Sequence, residues 1–211
     1  MTQLSRRAFL RRTAETAAGV AVAASARSEV KAAAPAVDAE VLQAGVAVRD
    51  ITPGPGIPLW GYSEGPRLST ATLDPLQAKA VVFRVGDKAV GLVNMDLGRV
   101  PVKESCTRIR GRAKDFGLDN VILAATHTHS GPSMELPGLP HLESTENAIV
   151  EVLREASEAI QPVQVSLGRG RIDIAHNRRV IKDGKCYMRW RNAERLPTAP
   201  LDHEAGVIRI D

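Results

Sequence analysis

The residues best suited to chemistry are Thr126-His127-Thr128-His129-Ser130-Gly131-Pro132. They follow an apolar run, residues 120–125, that reads as a buried strand. If the backbone stays extended, side chains two apart point the same way. His127 and His129 then share one side, and Thr126 and Thr128 the other. Two imidazoles leaving a strand end together suit a metal ion, or one ligand with a partner that orients it. Gly131-Pro132 turns the chain away and leaves room for a substrate. Taken alone, His-x-His fits a polar loop with two exposed histidines equally well. A catalytic zinc site also normally needs three protein ligands and an open position.

The remaining histidines are weak third donors. His141 opens a helix, His203 lies in a turn, and His176 precedes Asn177-Arg178-Arg179. No His-Glu-x-x-His helix occurs. Gly168-Arg169-Gly170-Arg171 lacks the Gly-Lys-Ser/Thr ending of a phosphate loop. Ser130 and Ser133 lack a Gly-x-Ser-x-Gly elbow. Asp96, at a strand end, is a candidate to support a histidine or simply to cap the strand.

The surrounding pattern predicts an α/β fold, a mixed sheet flanked by helices. Strands are expected near 46–51, at 78–85 and at 88–95, the last two joined by a Gly86-Asp87 hairpin turn. Val102, Cys106, Ile109 and Ala113 predict a helix over 102–116 with Gly117 as its stop. Ile149, Val152, Leu153, Ala156 and Ile160 form one apolar stripe, predicting a helix over about 144–160. Strands are expected again at 163–175, 179–181, 185–190 and 206–210. The chain stops just as that last strand opens, so the sheet is expected to be incomplete at its C-terminal end, with an exposed edge.

The chain has 211 residues, 44% hydrophobic and 25% charged. That balance excludes a disordered chain or a collagen-like repeat. Two cysteines, Cys106 and Cys186, exclude a disulfide-dense scaffold and a four-cysteine zinc module. The formal net charge is +4. Residues 1–26 hold four arginines and one glutamate, leaving the other 185 residues at +1. The basicity therefore belongs to the leader, and nothing in the body suggests a nucleic-acid partner. Ser5-Arg6-Arg7-Ala8-Phe9-Leu10, a short Ala-rich apolar stretch and Ala24-Ser25-Ala26 read as a twin-arginine export signal over 1–26. The apolar stretch is too short for a bilayer, which takes roughly 20 residues. A linker is expected over 27–43, and a catalytic domain over 44–211. The expected location is periplasmic or extracellular, reached through the twin-arginine machinery.

From about Ala44 to its last residue the chain resembles the neutral (non-lysosomal) ceramidase family. The resemblance is carried by Thr126–Pro132, with Ala125 where the family usually has glycine, and by further segments in order. These are Ala44-Gly45-Val46, Asp50-Ile51-Thr52-Pro53, Gly61-Tyr62, Asp74-Pro75-Leu76 with Ala78-Lys79-Ala80, Asp96-Leu97-Gly98, Asn177-Arg178, Leu201-Asp202 and Gly206-Val207-Ile208-Arg209. The resemblance implies a secreted amidase that uses one zinc ion to cut N-acylsphingosine into fatty acid and sphingosine. It implies His127 as a zinc ligand, His129 as a hydrogen-bonding group at the reacting centre, and Arg178 near the substrate amide. The family's other ligands, a histidine, a glutamate and a tyrosine, are expected beyond residue 211. The partners implied are a ceramide-like lipid amide and peripheral contact with a membrane, with no transmembrane segment. Two alternatives stay open: a hydrolase of a different amide, or a non-catalytic binding module that lacks the remaining zinc ligands.

Overall fold

The computed structural model describes residues 41–61, 67–136, 138–194, 196 and 200–211. The expected export signal, most of the linker, and Tyr62, Gly65 and Pro66 lie outside the described residues. The fold is α/β. Strands β1 (Gln43–Asp50), β2 (Gln77–Val85), β3 (Lys88–Met95), β4 (Asn120–Ala125) and the short β5 (Gln161–Pro162) form one mixed sheet in the order β4-β3-β2-β1-β5. β1, β2, β3 and β5 pair antiparallel, whereas β3 and β4 pair parallel. Helix α1 (Lys103–Ala113) makes the crossover that parallel pairing requires. Helix α2 (His141–Glu158) leads on to β5. Two antiparallel pairs follow: β6 (Val165–Arg171) with β9 (Glu204–Ile210), and β7 (Arg179–Lys182) with β8 (Lys185–Met188).

Period-two alternation explains the core. In β3, Ala89, Gly91, Val93 and Met95 are buried, and the residues between them are not. Ala78, Ala80 and Val82 of β2 join them, covered by Ile149, Val152, Leu153 and Ala156 of α2 and Ile109 and Ala113 of α1. On the other face Val46, Val48 and Ile122 are exposed. α1 continues into a 3-10 turn, Lys114–Phe116, and ends at Gly117, whose left-handed φ of 81° stops the helix as expected.

One expectation needs correction. β4 was read as fully buried, but it is an edge strand in which Val121 alone is fully buried. Its Val121 carbonyl accepts a hydrogen bond from Arg110 Nε on α1 (3.1 Å). α2 opens at His141 as expected, ahead of its apolar stripe. His141 is buried, and its Nε2 donates to the Ser133 carbonyl (2.8 Å). Gly168–Arg171 lies in β6, within the strand expected over 163–175. Neither cysteine forms a disulfide: Cys106 is buried and Cys186 exposed.

The two helices are joined by Arg108, which clasps the nearly buried Glu146 through Nε (2.9 Å) and Nη2 (2.6 Å). The Arg108 guanidinium holds the Glu146 carboxyl below its ordinary value of 4.5, against the opposing effect of burial. A depressed carboxylate stabilises the fold fully above that ordinary value, and the contribution fades as pH falls through the lower folded one. Stability measured by urea unfolding is therefore expected to decline with acid below about pH 4.5. Glu146→Gln should flatten that acid limb and lower stability near neutrality by about 1 kcal/mol.

Candidate functional site

Parallel strands leave a sheet side by side, so the exits of β3 and β4 are neighbours. The ladder continues past both strands: Thr126 N–H donates to the Met95 carbonyl (2.9 Å) and Thr128 N–H to the Leu97 carbonyl (3.3 Å). This places Gly98, after β3, beside His127, after β4. His127 Nδ1 lies 2.9 Å from the Gly98 carbonyl oxygen. A carbonyl can only accept, so Nδ1 carries the proton and Nε2 presents its lone pair, the form of histidine that binds metals.

The backbone reaches this arrangement by a route the sequence did not show. His127 has φ of +63°, in the left-handed region, so 126–129 is not extended. An L-residue there stores strain and persists only when its surroundings hold it. The imidazoles still meet. Their Nε2 atoms are 3.5 Å apart and their ring centroids 5.1 Å. Two zinc–nitrogen bonds of about 2.0–2.1 Å at a tetrahedral angle separate the nitrogens by roughly 3.4 Å. The observed spacing thus suits one cation between both rings, or one ligating ring and a hydrogen-bonding neighbour. His127 is exposed and His129 half-buried, so the pair is open to solvent. Among the described residues no group of three histidine, cysteine or carboxylate side chains is placed to hold a metal ion. The donor set fits part of a zinc sphere.

Trp60 was not singled out from the sequence. Its indole meets the His127 ring at 4.8 Å and the His129 ring at 4.9 Å, both edge to face. Its position comes from a bridge between Leu59 and Pro132, flanked by Trp60 N–H to the Gly131 carbonyl (3.0 Å) and Ser133 N–H to the Pro58 carbonyl (2.8 Å). The usable signal was local: a tryptophan one residue before the Gly61 of a motif segment. The other motif segments brace this loop. Thr52 N–H donates to Asp50 Oδ1 (2.7 Å), while Thr52 Oγ1 accepts from Leu76 N–H (2.8 Å), closing the loop at both ends.

Asp96 does not support a histidine. Its Oδ2 accepts from Gln77 N–H (3.1 Å), a strand-end cap. Arg178 is exposed, with its guanidinium 5.6 Å from the Trp190 ring. No hydrogen bond or ring contact among the described residues joins it to either imidazole. His176 is exposed, and His203 faces Asp173 (3.4 Å). A groove of about 720 Å³ runs along the other side of the histidine loop. Thr128, Ser130 and Pro132 line it with Ile57, Leu59 and Leu68, and neither imidazole does.

Gly98 has a tight steric role. A Cβ there would sit 2.2 Å from Trp60 Cε3. Gly98→Ala is expected to push the indole or the Gly98 carbonyl out of place. A loss of about 1–3 kcal/mol in chemical unfolding, with altered tryptophan emission, is the expected result.

No family model matches the sequence, and no curated protein does. Solved structures do. Neutral ceramidase from Pseudomonas aeruginosa matches with a TM-score of 0.59 and 24% identity, over 67% of this chain and 25% of that one. A ceramidase complexed with C2 matches with a TM-score of 0.56 and 25% identity, over 65% of this chain and 24% of that one. The chain spans about a quarter of the length of the ceramidase structures it matches. Across that quarter it shares the fold of neutral ceramidase.

Proposed function

We propose that this chain is part of an exported zinc-dependent amidase of the neutral ceramidase type, acting on a lipid amide such as N-acylsphingosine. The observation that carries the reading is the convergence of two imidazoles at the exits of β3 and β4, with His127 locked in its metal-binding tautomer by the Gly98 carbonyl. His127 Nε2 would hold the zinc ion, and further donors are needed from outside the described residues. Zinc held there supplies Lewis acidity toward an amide carbonyl. His129 donates a hydrogen bond toward the oxygen on which charge develops; losing one such donor typically costs about 2.7–4 kcal/mol of transition-state stabilisation. Arg178 is proposed as a second donor near the amide. The groove lined by Ile57, Leu59 and Leu68 also includes Thr128 and Ser130 of the histidine loop, which supports an acyl-bearing substrate. The twin arginines of the leader support export to the periplasm or beyond. Among the described residues no helix is long and apolar enough to cross a membrane.

The test is zinc content together with release of fatty acid from N-acylsphingosine and from simpler N-acyl amines. Chelation should abolish hydrolysis and added zinc restore it. Turnover of the simple amides alone would redirect the substrate assignment. A folded protein that neither takes up zinc nor hydrolyses any amide would favour a second reading. That reading, a non-catalytic binding module on this scaffold, is motivated by the lack of a third donor among the described residues.

A further inference from the structure

His127 is exposed and lies on a loop, and the Gly98 carbonyl pins just one atom of its ring. One hydrogen bond does not hold a ring on an exposed loop against rotation, so a second contact must set its plane and keep that bond made. Trp60 supplies that contact, and it touches both imidazoles at once. Its planes lie at 67° to His127 and 86° to His129, the edge-to-face arrangement that aromatic quadrupoles favour.

The indole is itself held on several sides. Arg99 places its guanidinium 5.4 Å from the centre of the Trp60 ring and is tied to Glu135 through Nη1 (2.9 Å). Gly98 lets the indole lie against the backbone whose carbonyl binds His127. Gly61, with φ of +108°, lets the chain pass His129, where a Cβ would come 2.7 Å from the ring. Glycines flanking a bulky aromatic at both contacts mark close packing around the imidazoles.

We propose that Trp60 is a positioning residue: its indole clamps His127 and His129 in the mutual orientation that aims both Nε2 atoms at one point. The inference rests on the zinc reading for what the pair holds. The clamp itself belongs to the metal-free chain and can be read without activity.

The experiment uses the 211-residue chain, labelled with 15N and free of metal. Long-range 1H–15N correlation spectra report which ring nitrogen carries the proton. His127 is expected as the Nδ1–H form in the wild type and in Trp60→Phe, which keeps an aromatic ring. In Trp60→Ala the His127 signals should move toward the Nε2–H-dominated mixture of unconstrained histidine. Zinc affinity, followed through the same signals, should fall roughly tenfold, the lower end for groups that orient a ligand. Trp60→Leu keeps apolar bulk without a ring and covers the case in which the alanine variant fails to fold. It should show the same losses with unchanged circular dichroism. Wild-type tautomer and zinc affinity in either folded variant would overturn the clamp. A wild-type chain whose imidazole signals ignore zinc would mean that the two histidines do not hold the ion without further donors, and the tautomer comparison would then decide the clamp by itself.

Discussion

On the proposed zinc amidase reading, and with the donors from outside the described residues supplied, His127→Ala is expected to remove zinc binding and amide hydrolysis together while leaving the fold intact. Rate should drop about a thousandfold or more, the equivalent of the several kcal/mol that a Lewis acid supplies. Stability should fall much less. The variant gives up one hydrogen bond, from Nδ1 to the Gly98 carbonyl, worth about 1 kcal/mol and so roughly 2–4 °C in Tm. The left-handed backbone at this position adds a second comparison. His127→Gly should be as inactive as the alanine variant yet more stable by about 1 kcal/mol, because glycine alone adopts φ of +63° without cost. Zinc content, hydrolysis and thermal melting of the two variants check this in one series. Equal stability of both would mean that the left-handed conformation is not maintained in solution.

The largest structural effect is expected at Gly45 in β1. A Cβ there would lie 2.1 Å from the Ala156 carbonyl oxygen and 2.8 Å from backbone atoms of Ala159 and Ile160. All three are main-chain atoms at the end of α2, so no side chain can rotate away. Gly45→Ala should cost about 3 kcal/mol or more, at or beyond the usual limit for overpacking. Gly45→Val should fail to fold, since total stability is only about 5–15 kcal/mol. Gly111, exposed in α1 with nothing within 4 Å of its Cβ position, is the matched control. Gly111→Ala should stabilise by up to about 1 kcal/mol. Urea unfolding of the three variants reads both signs. Tolerance of Gly45→Val would mean that α2 does not pack on β1 as described.

The contrast between these glycines also shows what a sequence discloses. The β2–β3 hairpin was legible because alternation and the Gly86-Asp87 turn are local features. The α1 stop at Gly117 was legible for the same reason. The opening of α2 at His141 was legible too, although its apolar stripe begins only at Ile149. The pairing of β6 with β9 joins segments more than 30 residues apart with no local mark of partnership. At the site, the meeting of His127 and His129 was expected for the wrong reason: an extended backbone was assumed, and a left-handed one is found. Trp60 was invisible because it lies 67 positions before His127 in the chain and is brought there by backbone bonds that no side-chain pattern announces.

The border position of β4 bears on how the coordination sphere can be filled. Among the described residues, the row of amides and carbonyls facing away from β3 has the Arg110 contact at Val121, near the start of the strand and away from the histidines. A further strand laid along that row in the same direction would run about 4.8 Å from β4 and leave the sheet next to His127. Among the described residues the outer edge of β4, not the helical layer, is thus where a further strand could extend the sheet on the histidine side.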